Sequence, residues 1–287
     1  MTNKESINRM PHKRIKVLMY HKITADEKLC RSHWTYVSKE QFRKHLSLLD
    51  HWGFVPITFE DFLLYRKGEI NLPKKSVILT FDDGYEGIYK IAFPMLKEYG
   101  WNAVLFVLGD RFVKSDFWDK HFGLSETNLL SDEQIIEMHE AGFEVGSHSM
   151  QHANLIKVPQ KIARYEISQS KEMLQALIKS QVKSFCYPFG LTNKEVKNIV
   201  HESGYELACG VFSGPPRFWK DQYDIRRITI RNSTDDFSFG FKMLTPFEYY
   251  EWLGSKIKIN FQRYSKKLQP KKDYNETATN DGTYLHA

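Results

Sequence analysis

The chain has 287 residues, of which 41% are hydrophobic and 26% are charged, and its formal net charge is +6. These values are typical of a folded globular protein and exclude a disordered or fibrous one. No apolar run approaches the roughly 18 residues that a membrane-spanning helix requires, and the net charge is too small to predict nucleic-acid binding. The length suits one domain, because α/β barrels of roughly 200 to 250 residues commonly form a single one.

The N-terminus and the cysteines indicate the cellular compartment of the protein. Residues 1–14 are polar and basic and lack the apolar core of a secretory signal peptide. Cys30, Cys186 and Cys209 are scattered and odd in number, which predicts free thiols in a reducing environment. We therefore expect a cytoplasmic protein.

Along the chain, apolar runs alternate with amphipathic stretches, which is the pattern of parallel strands connected by helices. It predicts an α/β fold, either an open sheet or a barrel. The predicted strands are Ile15–Tyr20, Ser76–Phe81, Asn102–Leu108, Phe143–Ser147, Ser184–Tyr187, Leu207–Val211 and Arg226–Ile230.

Several helices are predicted by their first residues. A Ser or Thr followed three positions later by Gln or Glu forms a capping box, and the pairs are Ser38 with Gln41, Ser131 with Gln134, and Thr245 with Glu248. The amphipathic stretch 159–179 predicts a further helix. Pro94 predicts that the helix after residue 84 starts late or kinks. The segment 113–130 is an apparent insertion whose Trp118 is either a sugar platform or a packing residue.

The C-terminal region is basic. The segment after Ser265 is poor in apolar residues, which predicts a disordered tail over 265–287 behind a catalytic domain of 15–264 with a C-terminal helix. The basic region is either a solvated surface or a contact with anionic lipid or polymer, which would bring the protein to a membrane surface. Its basic residues are Lys256, Lys258, Arg263, Lys266, Lys267, Lys271 and Lys272.

Two polar clusters follow predicted strands, at the strand ends where parallel α/β folds place their sites. Asp82 and Asp83 follow the apolar run 76–81, and their mutual repulsion calls for a cation or hydrogen-bond donors. His148 and His152 follow the run 143–147, and their spacing places two imidazoles on one face of a helical turn. Two histidines and one carboxylate form a three-ligand metal site with a position left for water. Taken alone, the first cluster also fits a simple turn.

A third cluster, Tyr187-Pro188-Phe189-Gly190, follows the predicted strand at 184. Its turn can expose a backbone N–H for an oxyanion, although an ordinary loop has the same pattern. Together the three clusters, in this order, resemble the signature motifs of the polysaccharide deacetylases, carbohydrate esterases that share the NodB homology domain. The resemblance extends over roughly Lys16–Ile230 and is specific as a trio, whereas any single motif is weak.

The resemblance implies a distorted (β/α) barrel and metal-dependent hydrolytic N-deacetylation of an N-acetylated sugar or glycan, with release of acetate. It also implies roles for four residues: Asp82 is the general base, and Asp83, His148 and His152 hold the metal. The Phe189 N–H would stabilise the oxyanion. Zinc is the first expectation from this ligand set, and nickel, cobalt, manganese and iron accept similar ligands.

The chain departs from the family pattern at two places. Cys186 stands two residues before Pro188, where many members have an Arg that tethers the catalytic Asp, and no late Leu-x-His motif supplies a general acid. His21, at the end of the first predicted strand, is our candidate acid, and a structural histidine is the alternative. This opening resembles the bacterial poly-N-acetylglucosamine deacetylases. Arg226 or Arg227 would supply the missing cation, and we favour Arg227; only one of two neighbouring strand residues can face the site.

Other functions are compatible with the same site residues. An O-acetyl esterase, or an enzyme that removes formyl from a lipid-linked sugar, changes only the acyl group or its linkage. A catalytically inactive carbohydrate-binding protein keeps the fold without turnover. A metallopeptidase is disfavoured, because the chain has no His-Glu-x-x-His helix. The substrate glycan and the oligomeric state are left open by the sequence.

Overall fold

A computed structural model describes residues 14–122, 126–210 and 215–250. All of the strand pairs in it are parallel. The strands are β1 (Lys16–Tyr20), β2 (Lys22–Thr24), β3 (Tyr36–Ser38), β4 (Val55–Pro56), β5 (Ser76–Phe81), β6 (Val104–Val107), β7 (Glu144–Ser147), β8 (Ser184–Cys186), β9 (Leu207–Cys209) and β10 (Ile228–Thr229).

The main sheet has eight strands and curls into a half-barrel. Its order is β10-β1-β5-β6-β7-β8-β9, with β4 beside β5, while β2 and β3 form a separate pair. One short stretch joins the two edges of this sheet: Ile225 pairs with Cys209 of β9, and three residues later Ile228 pairs with Leu18 of β1. The fold is therefore the predicted α/β type, a distorted (β/α) barrel in a single domain.

The helices lie between the strands and cover the sheet. They are α1 (Glu27–Ser32), α2 (Lys39–His51), α3 (Phe59–Lys67), α4 (Phe93–Glu98), α5 (Asp132–Glu140), α6 (Gln160–Ile178), α7 (Lys194–Glu202) and α8 (Asp236–Leu244). Shorter turns of π- or 3-10 helix are Ile88–Ala92, Phe117–Phe122 and Pro188–Gly190. No helix among the described residues has the length and apolar composition needed to cross a bilayer.

Most of the predicted helix starts are confirmed. The Ser38 hydroxyl accepts the N–H of Gln41, and Ser131 and Gln134 cap each other reciprocally. The helix with Pro94 does not start late, because helical residues begin at Glu86. A π-helical turn over Ile88–Ala92 interrupts it instead, and Pro94 occupies the first turn of α4.

The predicted cap at Thr245 is wrong. Thr245 follows the last residue of α8, and its hydroxyl donates to the carbonyl of Phe241, so this residue closes one helix and does not open the next. Residues 247–250 are helical. The predicted disordered tail, the basic cluster and the domain boundary at 264/265 lie outside the described residues.

Two hydrophobic cores lie on the two faces of the sheet, because successive strand residues alternate between faces. Leu18 and Leu79 belong to the outer core, between the sheet and its helices. Val17 and Ile78 belong to the inner core, which also receives Phe106. The inner face therefore leads from a packed apolar interior to the carboxyl ends of the strands, where the polar clusters stand.

Candidate active site

The three polar clusters and His21 meet at one pocket of about 220 Å³ at the carboxyl ends of the strands. His21 follows β1, Asp82 and Asp83 follow β5, and His148 follows β7. Parallel strands bring these positions to one edge of the sheet. The residues that line the pocket are His21, His33, Trp34, Thr35, Asp82, Asp83, Trp118, Asp119, His148, His152, Tyr187, Phe189 and Gly190.

The backbone is strained around this pocket. Five non-glycine residues in the described part of the chain have positive φ, and four of them belong to the motifs. Side-chain-bearing residues adopt such angles at a cost of about 1–3 kcal/mol each, which the surrounding structure must offset. The four are Asp83 at 69°, Ser149 at 66°, His152 at 60° and Phe189 at 58°. Strain concentrated in this way marks a site where side-chain direction matters more than local stability.

Asp83, His148 and His152 form a compact triad. Asp83 Oδ1 lies 3.1 Å from His148 Nε2 and 3.3 Å from His152 Nε2. Yet Asp83 Oδ1 is buried without a hydrogen-bond partner among the described residues, so these contacts are not hydrogen bonds. The three atoms face a common point instead.

This geometry fits a metal ion. Oxygen and nitrogen ligands bound at about 2.0–2.2 Å to one tetrahedral ion lie roughly 3.4 Å apart, close to the distances within this triad. Burial favours the neutral form of Asp83, but the two imidazoles outweigh it and hold the pKa of Asp83 well below its usual range. A carboxylate and two imidazole nitrogens therefore converge on one position, and this is the donor set that a divalent first-row metal prefers.

His148 is oriented by the backbone of the third cluster. Its Nδ1 lies 2.8 Å from the carbonyl oxygen of Cys186. A carbonyl only accepts, so Nδ1 carries the proton and Nε2 presents its lone pair toward Asp83. The neighbouring strands β7 and β8 thus set the tautomer of this histidine.

Asp82 is fixed by a buried ion pair. The guanidinium of Arg227 donates to both carboxylate oxygens, with Nη1 2.6 Å from Oδ1 and Nη2 2.7 Å from Oδ2. Burial raises the pKa of Asp82, but the guanidinium more than offsets this and holds that pKa below its usual value. Asp82 is therefore an ionised carboxylate at neutral pH. Of the two arginines considered from sequence, Arg227 reaches Asp82, whereas Arg226 Nε lies 4.0 Å from Asp224.

Cys186 lies beside the Asp82–Arg227 ion pair. Its thiol donates to Asp82 Oδ2 over 3.5 Å and accepts from Arg227 Nη2 at 3.1 Å. Asp82, His148 and Cys186 are also close enough to hold a metal. That second group is the poorer one, since both oxygens of Asp82 are taken by Arg227 and burial raises the pKa of the Cys186 thiol to about 11.

The remaining predicted residues also face the pocket. His21 Nε2 lies 3.9 Å from Asp82 Oδ2, and its Nδ1 is buried without a hydrogen-bond partner in the described part of the chain. The ring of Trp34 meets His21 edge-on at 5.5 Å. Phe189 is half exposed, and it stands second in a 3-10 turn, where the N–H has no intrahelical partner.

Sequence reasoning missed the residues that support the pocket from behind. Lys22 is buried, and its ammonium donates to Asp116 at 2.6 Å and to Asp119 at 2.8 Å. It also lies against the rings of Tyr36 and Tyr85. The available signal was a lysine directly after a strand-end histidine, together with two acidic residues in the insertion, but no spacing rule connects them.

Fold and site together define a class: an α/β half-barrel with an ionised carboxylate beside three residues that could hold a metal. Residues 69–208 match the polysaccharide deacetylase family model. YxkH of Bacillus subtilis, whose name assigns it to the same family, is 28% identical over 229 residues, covering 79% of this chain and 75% of YxkH. The poly-β-1,6-N-acetyl-D-glucosamine N-deacetylase of Staphylococcus aureus is 27% identical over 203 residues, or 68% of this chain and 67% of that enzyme.

The fold agrees with these relatives. The structure of the Streptococcus pyogenes deacetylase PplD in complex with acetate superposes with a TM-score of 0.70 at 23% identity, over 83% of this chain and all of PplD. Residues 69–208 thus carry a polysaccharide deacetylase domain, and the deacetylase relatives support a hydrolase that acts on non-peptide carbon–nitrogen bonds.

Proposed function

We propose that this protein removes acetyl groups from N-acetylated amino-sugar residues of a glycan. One observation carries the proposal: the Asp83–His148–His152 triad lies beside the ionised Asp82 in a pocket that His21 also faces. A hydrolytic base, a ligand set for an electrophilic metal and a proton donor are the three parts that amide hydrolysis needs.

Asp83, His148 and His152 would hold the metal, with zinc as first choice and nickel, cobalt, manganese or iron as acceptable ions. When bound, such a metal polarises the acetamide oxygen and lowers the pKa of coordinated water toward about 7. The fit rests on the buried, unpartnered Asp83 Oδ1 and on the orientation of the His148 ring.

The chain's own residues move the protons. Asp82 accepts the proton of the attacking water, and Arg227 keeps this carboxylate charged and aimed. The Phe189 N–H donates to the oxyanion as it develops. His21 then gives a proton to the departing amine, which is a poor leaving group without it. The products are acetate and a free amino sugar.

The pocket suits one sugar residue of a longer chain. Its volume of about 220 Å³ is below the roughly 300–1,000 Å³ of pockets that enclose drug-sized ligands, so the rest of a polymer would lie across its mouth. Trp34 and Phe189 are 39% and 50% exposed there and offer flat apolar faces to pyranose rings. A β-1,6-linked N-acetylglucosamine polymer, the substrate in the name of the staphylococcal relative, is the first compound to test.

The proposal is tested by acetate release from such oligosaccharides, with metal content measured on the same samples. Asp82→Asn is expected to retain metal and lose at least about 10²-fold to 10⁴-fold in kcat, because the base is gone and the ligands remain. His148→Ala and His152→Ala are expected to lose both metal and activity. Full turnover by Asp82→Asn would remove the assigned base, and turnover without any bound ion would remove the metal.

A further inference from the structure

The two histidines of the triad are held in different ways. His148 Nδ1 donates to the Cys186 carbonyl, which is the usual manner in which a metal-binding histidine is oriented. His152 has no such bond: its Nδ1 is buried without a hydrogen-bond partner among the residues described. Its φ of 60° adds no stability of its own. Some other contact must hold this ring.

Aromatic rings supply that contact. Trp118 stacks on the His152 ring with centroids 4.3 Å apart and planes inclined by 21°, and Phe189 meets the same ring edge-on at 4.6 Å. Trp118 is 8% exposed, so its indole is a packed part of the wall, whereas Phe189 is half exposed. Of the two, Trp118 is the firmer support.

Trp118 itself belongs to the insertion, and Lys22 ties that segment to strand β2. The Lys22 ammonium is held between Asp116, at the base of the insertion, and Asp119, next to Trp118. Lys22 and Asp116 are almost completely buried, so this ion pair is shielded from solvent and salt. The base has further anchors, such as the Leu129 N–H that donates to the Lys114 carbonyl, but Asp119 ties the part that carries the indole.

We propose that Trp118 is a positioning residue for the metal ligand His152, doing by ring stacking what a hydrogen bond does for His148, and that Lys22 holds Trp118 in place through Asp119. The inference rests on the proposed metal centre. It assigns to the insertion a part in metal binding, beyond the shaping of a substrate cleft.

The test measures metal affinity by competition with a chelator, and the visible spectrum of the cobalt(II) protein, on folded samples checked by circular dichroism. Trp118→Leu, which removes the stacking face, should raise the metal Kd by about 10-fold to 100-fold and alter the cobalt spectrum, as loss of an outer support for a ligand does. Trp118→Phe restores a ring and should stay within about threefold of the unmodified protein. Lys22→Gln keeps the indole but removes the ion pair that holds its segment, and it should also raise the Kd, by a smaller factor.

Phe112→Ser is the matched control, since Phe112 lies just before the insertion, is 92% exposed and should change neither reading. A Trp118→Leu protein with unchanged Kd and spectrum would overturn the inference while leaving the metal centre intact. If that variant does not fold, an unchanged Kd in Lys22→Gln would overturn it equally. An unmodified protein that binds no metal, or a His152→Ala protein that binds it normally, would instead remove the proposed function.

Discussion

Two buried carboxylates lie at opposite ends of the same parallel sheet, and they have opposite electrostatics. Asp82 follows β5 at the carboxyl edge, where the Arg227 guanidinium binds both of its oxygens and its pKa is lowered. Glu144 begins β7 at the amino edge, where it accepts the Ser184 hydroxyl at 2.6 Å and the Glu60 N–H at 2.9 Å. Burial raises the pKa of Glu144 to about 7 despite these bonds.

The difference shows what each edge of the sheet does. Neutral donors stabilise a buried carboxylate less than a guanidinium does, so the amino edge holds a carboxyl group that titrates near neutrality, whereas the carboxyl edge holds one that stays charged. A carboxylate that is ionised at neutral pH can accept a proton there. The cation beside Asp82, more than burial or hydrogen bonding, separates the proposed base from the structural Glu144.

Removing the Arg227 guanidinium should have the largest effect. Asp82 would then be, like Glu144, a buried carboxyl group without a neighbouring cation. Arg227→Met leaves Asp82 as an uncompensated buried charge, and the free energy of unfolding at pH 7 should fall by about 3–5 kcal/mol. Urea denaturation measures this. The sign of the pH dependence should also reverse. In the unmodified protein the Asp82 contribution to stability is present above the unfolded pKa and is lost as pH falls through the lowered folded value, whereas in the variant stability should fall as pH rises.

The control for this variant is Arg164→Met. Arg164 forms an exposed ion pair with Glu202, with the two side chains 49% and 53% exposed. Exposed pairs contribute about 1 kcal/mol or less, so the variant should unfold almost like the unmodified protein. Equal losses for Arg227→Met and Arg164→Met would contradict the assigned role of the buried pair.

At the carboxyl edge, the next largest effect should come from His21, the proposed acid. His21→Gln removes the proton donor, and kcat on an N-acetylated oligosaccharide should fall by about 10²-fold or more. An activated acetyl ester has a leaving group that needs no proton, so the same variant should hydrolyse it at nearly the unmodified rate. Equal losses on amide and ester would indicate that His21 supports the site structurally and donates no proton.

Sequence reasoning predicted the elements that obey local rules. The seven predicted sheet strands are present, most of them one or two residues shorter, because apolar runs and strand-end turns are local signals. Side-chain alternation along a strand predicted that only one of Arg226 and Arg227 faces the site. The preference for Arg227 came from the resemblance, because an Arg followed by Ile recurs in the resembling subgroup. The helix start predicted at Thr245 was wrong because a Thr hydroxyl can close a helix as well as open one.

The support behind the pocket could not be predicted in the same way. Lys22 meets Asp116 and Asp119 across 94 and 97 residues, and Trp118 reaches His152 from a different loop. Such contacts depend on how the curled sheet brings the insertion back over β2, which no residue spacing encodes. Local patterns therefore predicted which candidate metal ligands come together, while the groups that orient them required the tertiary structure.

The smallest of these effects should come from Glu144 at the amino edge, where the stability of the protein should depend on pH. Glu144 has a folded pKa of about 7 against roughly 4.3 when unfolded, so its contribution to stability is full below the unfolded value and is lost as pH rises through 7. Between pH 5 and 8 this group should cost about 2 kcal/mol. Glu144→Gln still pairs with Glu60 and Ser184 and should flatten that slope in urea denaturation, whereas Glu140→Gln, on the surface, should not. An unchanged slope in Glu144→Gln would mean that the buried carboxyl is already ionised at pH 5, and that a cation is not what distinguishes the two edges.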